Sequence, residues 1–357
     1  MELNRFNSYK ILAHADRLRQ IAAGGEPYPI DWHVYPSNVC DHSCSFCLFI
    51  QNGEQQNFHV KLPRDVMMRA VDDAARTGAV LMHFSGGGEP LLNRHTPEAM
   101  ERARSAGVKV AMSTHGAHLT PEVAELVHYI RVSLNAGTAD QHHKTNHALN
   151  ARHPGDWERI LENIATCVPV ARAAGNDIGL AFVVYEDNWR DIEPFCKTAA
   201  QLGVDFVHIR PGFYYSPEDD HATRRIMPDA FAACERAKAA YGDTVQIFAI
   251  SDKFEGYWTP RTYHRCLAIW TGTTLRATGD FAVCQDRTDL VWGRNPSYRA
   301  GASFEECWHS EERRALVASI HDGPGGELSA CPRCVWNNRN RIIEDVFVKD
   351  TIRLDLV

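Results

Sequence analysis

Residues 32–47 read WHVYPSNVCDHSCSFC: a short aromatic and β-branched run, a proline, then three cysteines within eight residues. The run reads as a strand, and Pro36 ends it. Cys40, Cys44 and Cys47 therefore leave a strand end on one loop, where their thiols can converge. Three thiols are one short of a closed zinc site, and one short of a set that ligates all four irons of a 4Fe–4S cluster. Either a fourth ligand lies elsewhere or one metal position is left open.

Outward from this loop the chain repeats one pattern. Strand-like runs occupy 32–36, 79–85, 108–113, 129–135, 178–185 and 205–211, with helical stretches such as 64–78 and 156–175 between them. Gly78, Gly107, Gly175 and Gly203 each stand just before a strand and read as helix stops. Six strands alternating with helices predict an α/β fold with a parallel sheet, either doubly wound or curved into a partial barrel. Both bind ligands at the carboxyl ends of the strands. The exits to search are 37–47, 85–92 (SGGGEPLL), 113–119 (STHGAHL), 134–140, 185–189 and 210–215. His142, His143 and His147 fall in a polar stretch and read as solvated.

The 357 residues are 44% hydrophobic and 23% charged, with a formal charge of −7, an ordinary globular balance without the basic face that nucleic acid requires. No apolar run approaches the ~18 residues of a membrane span, and residues 1–25 lack the apolar core of a signal peptide. A cytoplasmic protein, with no nucleic-acid or membrane partner, is expected. Eleven cysteines in that reducing setting point to metal binding or catalysis rather than disulfides. The expected organisation is an N-terminal helical extension (1–29), the β/α unit (30–250), a smaller α+β unit (251–345) and a tail (346–357). In the smaller unit, 274–286 reads as strand and 303–320 as one helix.

The cysteine loop resembles the CxxxCxφC motif of the radical S-adenosylmethionine (SAM) superfamily, with Phe46 at the aromatic position φ. The resemblance covers roughly residues 30–250 and implies a partial (β/α)6 barrel. It also implies a 4Fe–4S cluster on Cys40, Cys44 and Cys47, whose free iron chelates the amino and carboxylate groups of SAM. Phe46 would pack on the adenine, and Gly87, Gly88 and Glu89 match the GGE motif that meets the SAM amino group. Thr114, Ser133 and Asn135 stand at exits where family members bind the ribose and carboxylate. Arg210 can pair with a carboxylate bidentately or serve a structural ion pair. Zinc, a redox site or coincidence remain the alternatives for the loop taken alone.

A second cysteine set is Cys266, Cys284, Cys331 and Cys334, with Cys284 closing a GxxxxC pattern and the last two forming CPRC. Four thiols suit a structural zinc equally well as a fully ligated 4Fe–4S cluster. Beside the first motif they resemble the auxiliary-cluster regions called SPASM and twitch. The one-cluster twitch form fits four ligands, and its nearest spacing is that of the deoxy-scyllo-inosamine dehydrogenase group. Cys167, Cys196 and Cys234 lie in helical patterns and read as buried small hydrophobes. Cys307 reads as core or as a hydrogen-atom donor.

What the resemblance implies is reductive cleavage of SAM to a 5′-deoxyadenosyl radical, with the electron supplied by a flavodoxin or ferredoxin. Hydrogen abstraction from a carbinol carbon of a sugar- or aminocyclitol-like metabolite follows. The auxiliary cluster takes the second electron, leaving a ketone. Relatives place an acid directly after the GxxxxC cysteine, where this chain has Gln285. Asp286 and Lys253 are the candidate bases. The rival readings are an epimerase that returns hydrogen from Cys307, a peptide-modifying enzyme, and a non-catalytic zinc protein. The peptide reading ranks lower because the stretch before the first strand is short for a peptide-recognition domain.

Overall fold

Within Asp31–Val34, Trp32 and Val34 are fully buried while Asp31 and His33 keep some accessible surface, and Leu81–Phe84 repeats the pattern with Met82 and Phe84. That period-two alternation makes a strand whose apolar side faces a helical layer and whose other side faces something different. In a computed structural model, which describes residues 6–51, 59–146, 156–212, 217–249, 261–331, 334 and 336–349, these strands build one curved sheet. The six expected strands are present as β1 (Asp31–Val34), β2 (Leu81–Phe84), β3 (Lys109–Thr114), β4 (Tyr129–Ser133), β5 (Asp177–Val184) and β6 (Phe206–Pro211). All pair in parallel in chain order, His33 opposite His83 and Ser113 opposite Arg131. This is an α/β fold whose parallel sheet forms a partial barrel.

The outward faces pack into one core. Val66, Met67, Ala70 and Val71 of helix Arg64–Arg76 and Ile160, Ile164 and Cys167 of helix Asp156–Ala173 cover Trp32, Met82, Met112, Val132 and Leu180. Each such large side chain contributes about 1.5–3 kcal/mol relative to an exposed one. Cys167, Cys196 and Cys234 are buried in this core as small hydrophobes. Helix Ile192–Leu202 stops at Gly203, whose φ of 67° only glycine adopts cheaply.

The sheet continues past the expected six strands. β7 (Gln246–Ala249) adds beside β6, and β8 (Gly272–Leu275) pairs in parallel with β1 on the other edge. β9 (Phe281–Ala282) and β10 (Val291–Trp292) follow antiparallel, so the order is β10-β9-β8-β1-β2-β3-β4-β5-β6-β7 among the described residues. The region after residue 261 is thus joined to the barrel through its sheet rather than set apart from it. An aromatic wedge seals the join: Trp32 lies 4.4 Å from Phe304, and Phe281 stacks on Trp292 at 4.4 Å. The Arg313 guanidinium sits 3.4 Å over the Trp308 ring, and burial lowers its pKa to about 9.

Two local expectations change. Residues 303–320 form two helices, Phe304–Trp308 and Glu311–Ser319, because Ser303 and Ser310 each cap a new start. A capping box joins Ser303 to Glu306, and Ser310 Oγ accepts from Arg313 N at 3.1 Å. His142 is not solvated: it is 2% exposed in helix Ala139–Asn146, while His143 is exposed and His147 lies outside the described residues.

Candidate active site

The loop after β1 is pinned before it reaches its first cysteine. Ser37 Oγ accepts from Val39 N at 3.0 Å, and Val39 O accepts from Glu89 N at 2.9 Å. Cys47 N then donates to Cys44 O at 3.1 Å, opening the short helix Leu48–Gln51. The three thiols end in one another's field. Burial raises the Cys44 pKa, and Cys40 and Cys47 raise it further; burial and then Glu89 do the same for Cys40. Thiolates crowded like this are unfavourable without a cation between them, so the donor set fits an iron–sulfur centre held by three ligands.

The loop's flanks are clamped by imidazoles. Asp41 takes His115 Nε2 on one oxygen at 2.7 Å and His118 Nε2 on the other at 2.8 Å. His42 stacks on His115 at 3.9 Å and shares a 2.7 Å hydrogen bond with Asp156. Ligand atoms of Cys40, Asp41 and His115 lie within 4.8 Å of one another, but both Asp41 oxygens are already occupied by imidazoles. Burial favours neutral His115, yet Glu89 and the Asp41 hydrogen bond outweigh it and raise its pKa. Burial likewise opposes ionised Asp41, and the two histidines win, holding its carboxyl well below the ordinary range.

Gly87 and Gly88 are required for close approach, not for unusual backbone angles, since neither has a positive φ. A Cβ on Gly88 would stand 2.2 Å from Val39 O, and one on Gly87 2.4 Å from Asn38 Oδ1. Glu89, 2% exposed, accepts from Leu91 N at 3.1 Å, the Thr114 hydroxyl at 2.8 Å and His115 N at 3.0 Å. The exits of β2 and β3 are thus locked against the cysteine loop.

Elsewhere on the mouth, the Phe46 ring lies 5.3 Å from Tyr185 at the end of β5. Asn135 has φ 56°, with Oδ1 accepting from Val183 N at 3.0 Å and Nδ2 donating to Ser133 O at 3.1 Å. Its first role is to shape the β4 exit beside half-buried Ser133. Arg210 is half-buried on β6, and its Nε is buried with no hydrogen-bond partner among the described residues.

The second cysteine set also converges. Cys266 is electrostatically coupled to Cys331, and Cys284 and Cys334 to each other and to Cys266. Burial raises Cys266 to about 11 and raises Cys284 and Cys334 as well. Three N–H groups are aimed at these sulfurs: Arg287 N to Cys284 at 3.3 Å, Arg287 Nη1 to Cys331 at 3.7 Å, and Asn340 Nδ2 to Cys266 at 3.5 Å. Donors of that kind stabilise anionic ligated sulfur, so this set fits a metal centre.

Residues 34–199 match the family model described as the radical SAM superfamily. They form a radical SAM domain. This chain is 26% identical over 186 residues to the Fe-coproporphyrin III synthase of Methanosarcina barkeri, covering 52% of this chain and 43% of that protein. It is 24% identical over 208 residues to the dTDP-4-amino-4,6-dideoxy-D-glucose ammonia-lyase of Streptomyces venezuelae, covering 54% and 41%. The chain spans about half the length of the curated relatives it matches. Streptococcus suis SuiB bound to S-adenosylmethionine superposes with a TM-score of 0.58 over 90% of this chain and 73% of that one, at 15% identity, a likeness of fold.

Around the radical SAM domain, the candidate catalytic residues separate. Asp286 is half-buried beside Cys284 and Cys334. Lys253 lies outside the described residues. Cys307 is fully buried in the aromatic wedge on the outer face of the sheet, where its thiol donates to Pro296 O at 3.3 Å. Burial, then Glu306, raises it to about 12. That burial places Cys307 among the core residues of the wedge. Asp41, His42, His118, Asp156, Arg287 and Asn340 carry no motif of their own, and only their neighbours in space reveal them.

Among the described residues no helix is long and apolar enough to cross a membrane.

Proposed function

We propose that this chain is a radical SAM oxidoreductase that oxidises a carbinol carbon of a sugar-like small molecule to a ketone. When bound, the SAM-binding cluster supplies a 5′-deoxyadenosyl radical that takes hydrogen from carbon, and a fully ligated second cluster supplies an acceptor for the remaining electron. The observation that carries the reading is the pairing of an incomplete thiol set at the barrel mouth with a complete set of four at the other site.

In this reading Cys40, Cys44 and Cys47 hold one 4Fe–4S cluster, and Cys266, Cys284, Cys331 and Cys334 hold the other. Gly87 and Gly88 let the β2 exit touch the cysteine loop, and Glu89, fixed by Thr114, faces the SAM ammonium. Phe46 and Tyr185 offer an aromatic surface to the adenine, and Ser133, Asn135 and Arg210 border the ribose and carboxylate. The buried Arg210 Nε, with no hydrogen-bond partner among the described residues, suits a carboxylate. Asp286, half-buried at the auxiliary sulfurs, is placed to accept the hydroxyl proton, and Lys253 is the second candidate. A low-potential flavodoxin or ferredoxin is the fitting electron donor. The relationship to a nucleotide-sugar lyase supports a sugar-like substrate.

The test is anaerobic incubation of the iron-loaded protein with SAM, dithionite and hydroxylated sugars, following 5′-deoxyadenosine and product mass. A product lighter by two hydrogens supports oxidation. A product of unchanged mass in ordinary water that gains one deuterium at carbon in D2O indicates epimerisation instead, and colourless protein loaded with zinc removes the reading altogether.

A further inference from the structure

One arginine reaches two of the auxiliary sulfurs. Arg287 lies between β9 and β10, and its backbone N–H donates to the Cys284 sulfur at 3.3 Å. Its side chain then crosses to the turn that carries Cys331, where Nη1 donates to Glu327 O at 3.1 Å and points at the Cys331 sulfur at 3.7 Å. The guanidinium is held fast on its remaining edge. Nε donates to Asp289 Oδ1 at 2.9 Å, while Nη2 donates to Asp289 Oδ2 at 2.8 Å and to Glu327 Oε2 at 3.0 Å. With its side chain 10% exposed, this is a buried cation whose planar fork is shared between two carboxylates and a sulfur. The Asp289 bond outweighs burial and, with Glu327 and Cys331, keeps it firmly charged.

A second donor is fixed just as firmly. Asn340 is fully buried, and its Oδ1 accepts from Leu267 N at 2.7 Å and from Ala268 N at 2.8 Å. Those two N–H groups settle which way the amide points, so Nδ2 faces the Cys266 sulfur at 3.5 Å. Asp286 acts in the opposite sense: after burial itself it is the leading influence raising Cys284, and it acts on Cys334 behind Cys266. A fully ligated cluster gains negative charge on reduction, so donors and a cation at its sulfurs favour the reduced form and carboxylates oppose it. Without the Arg287 charge, the carboxylates of Asp286, Asp289 and Glu327 would lose the cation set between them and the sulfurs.

We propose that Arg287 is a positioning residue for electron transfer, which raises the reduction potential of the centre held by Cys266, Cys284, Cys331 and Cys334, and that Glu327 and Asp289 set how far it is raised. The inference rests on the two-cluster reading above and deepens it by naming what makes the second centre an acceptor. In the step it serves, the carbon-centred substrate radical gives one electron to that centre and its hydroxyl proton to a base, leaving the ketone. Substitution of the side chain leaves the Arg287 backbone donor on Cys284 in place, so the charge can be varied by itself.

The test is a redox titration of the anaerobically iron-loaded protein followed by electron paramagnetic resonance, with SAM added to shift the signal of the first centre away from that of the second. Arg287→Gln should lower the auxiliary midpoint by about 59 mV or more, a tenfold or greater shift in the one-electron equilibrium. Arg287→Lys, which keeps the charge, should restore most of that loss. Glu327→Gln keeps an acceptor for Nη2 but removes a negative charge, and should move the midpoint upward. Opposite signs at equal iron content separate a tuned potential from a loosened fold, and Glu327→Gln carries the test by itself if Arg287→Gln fails to load iron. Midpoints that stay at the wild-type value in the iron-loaded variants, or that fall in both Arg287→Gln and Glu327→Gln, overturn the proposal. Wild-type protein that holds zinc at these cysteines, or shows no second reducible centre, removes the two-cluster reading itself, whereas a reducible centre indifferent to the charge changes removes only the role of Arg287.

Discussion

The Thr114 hydroxyl donates to Glu89 Oε1 at 2.8 Å, tying the exit of β3 to the exit of β2 at the point nearest the cysteine loop. The bond aims a buried carboxylate that would otherwise choose among rotamers. Thr114→Val removes the donor and keeps the shape. A hydrogen bond to a charged group contributes about 1.5–3 kcal/mol, so SAM affinity should fall about tenfold or more. Iron content should stay unchanged, and equilibrium SAM binding checks both.

Gly88 tests the packing of the same corner. Its substitution by alanine places a Cβ 2.2 Å from the Val39 carbonyl, a backbone atom that can yield only by moving the loop. Overpacking of this kind costs about 1–3 kcal/mol. Gly88→Ala should lose iron from the Cys40, Cys44, Cys47 centre while retaining the auxiliary iron, as quantified by iron analysis and electron paramagnetic resonance.

Much of this site lay open to sequence reading, and the reason is local spacing. The cysteine loop, the GGE turn and six strands are contiguous patterns, and each emerged at the expected place in the fold. The imidazole clamp did not, because His42 and Asp156 are 114 residues apart and meet only once the barrel closes. The pairing of β8 with β1 was equally hidden: Gly272–Leu275 is a short run whose partner is set by topology, not by its own residues. His142 was misread as solvated because a polar stretch conceals which single residue turns inward against Trp157.

The auxiliary set makes its own prediction. Cys284→Ser should reduce iron from about eight to about four per chain while leaving reductive SAM cleavage in place. Substrate oxidation should be lost. Iron analysis and 5′-deoxyadenosine release, measured on one preparation, check the two halves together.

The barrel imidazoles give a pH prediction. Burial, then neighbouring cations, hold His83 below the ordinary histidine pKa, and burial does the same for His33 against the pull of Asp31. The unfolded chain therefore binds more protons than the folded one at acid pH. This stability is fully present above the unfolded pKa of about 6.5 and is lost as pH falls below it, by up to about 1.4 kcal/mol per pH unit for each ring. Thermal midpoints between about pH 7.5 and pH 5.5 should fall less steeply in His83→Gln than in wild type. Parallel profiles would show that His83 titrates normally.

The most direct measurement is electron–nuclear double resonance on reduced Cys284→Ser protein carrying SAM labelled with 15N at its amino group. The label should couple to the cluster held by Cys40, Cys44 and Cys47, because that thiol set leaves one iron without a protein ligand. A cluster spectrum indifferent to SAM, with no nitrogen coupling, contradicts the account.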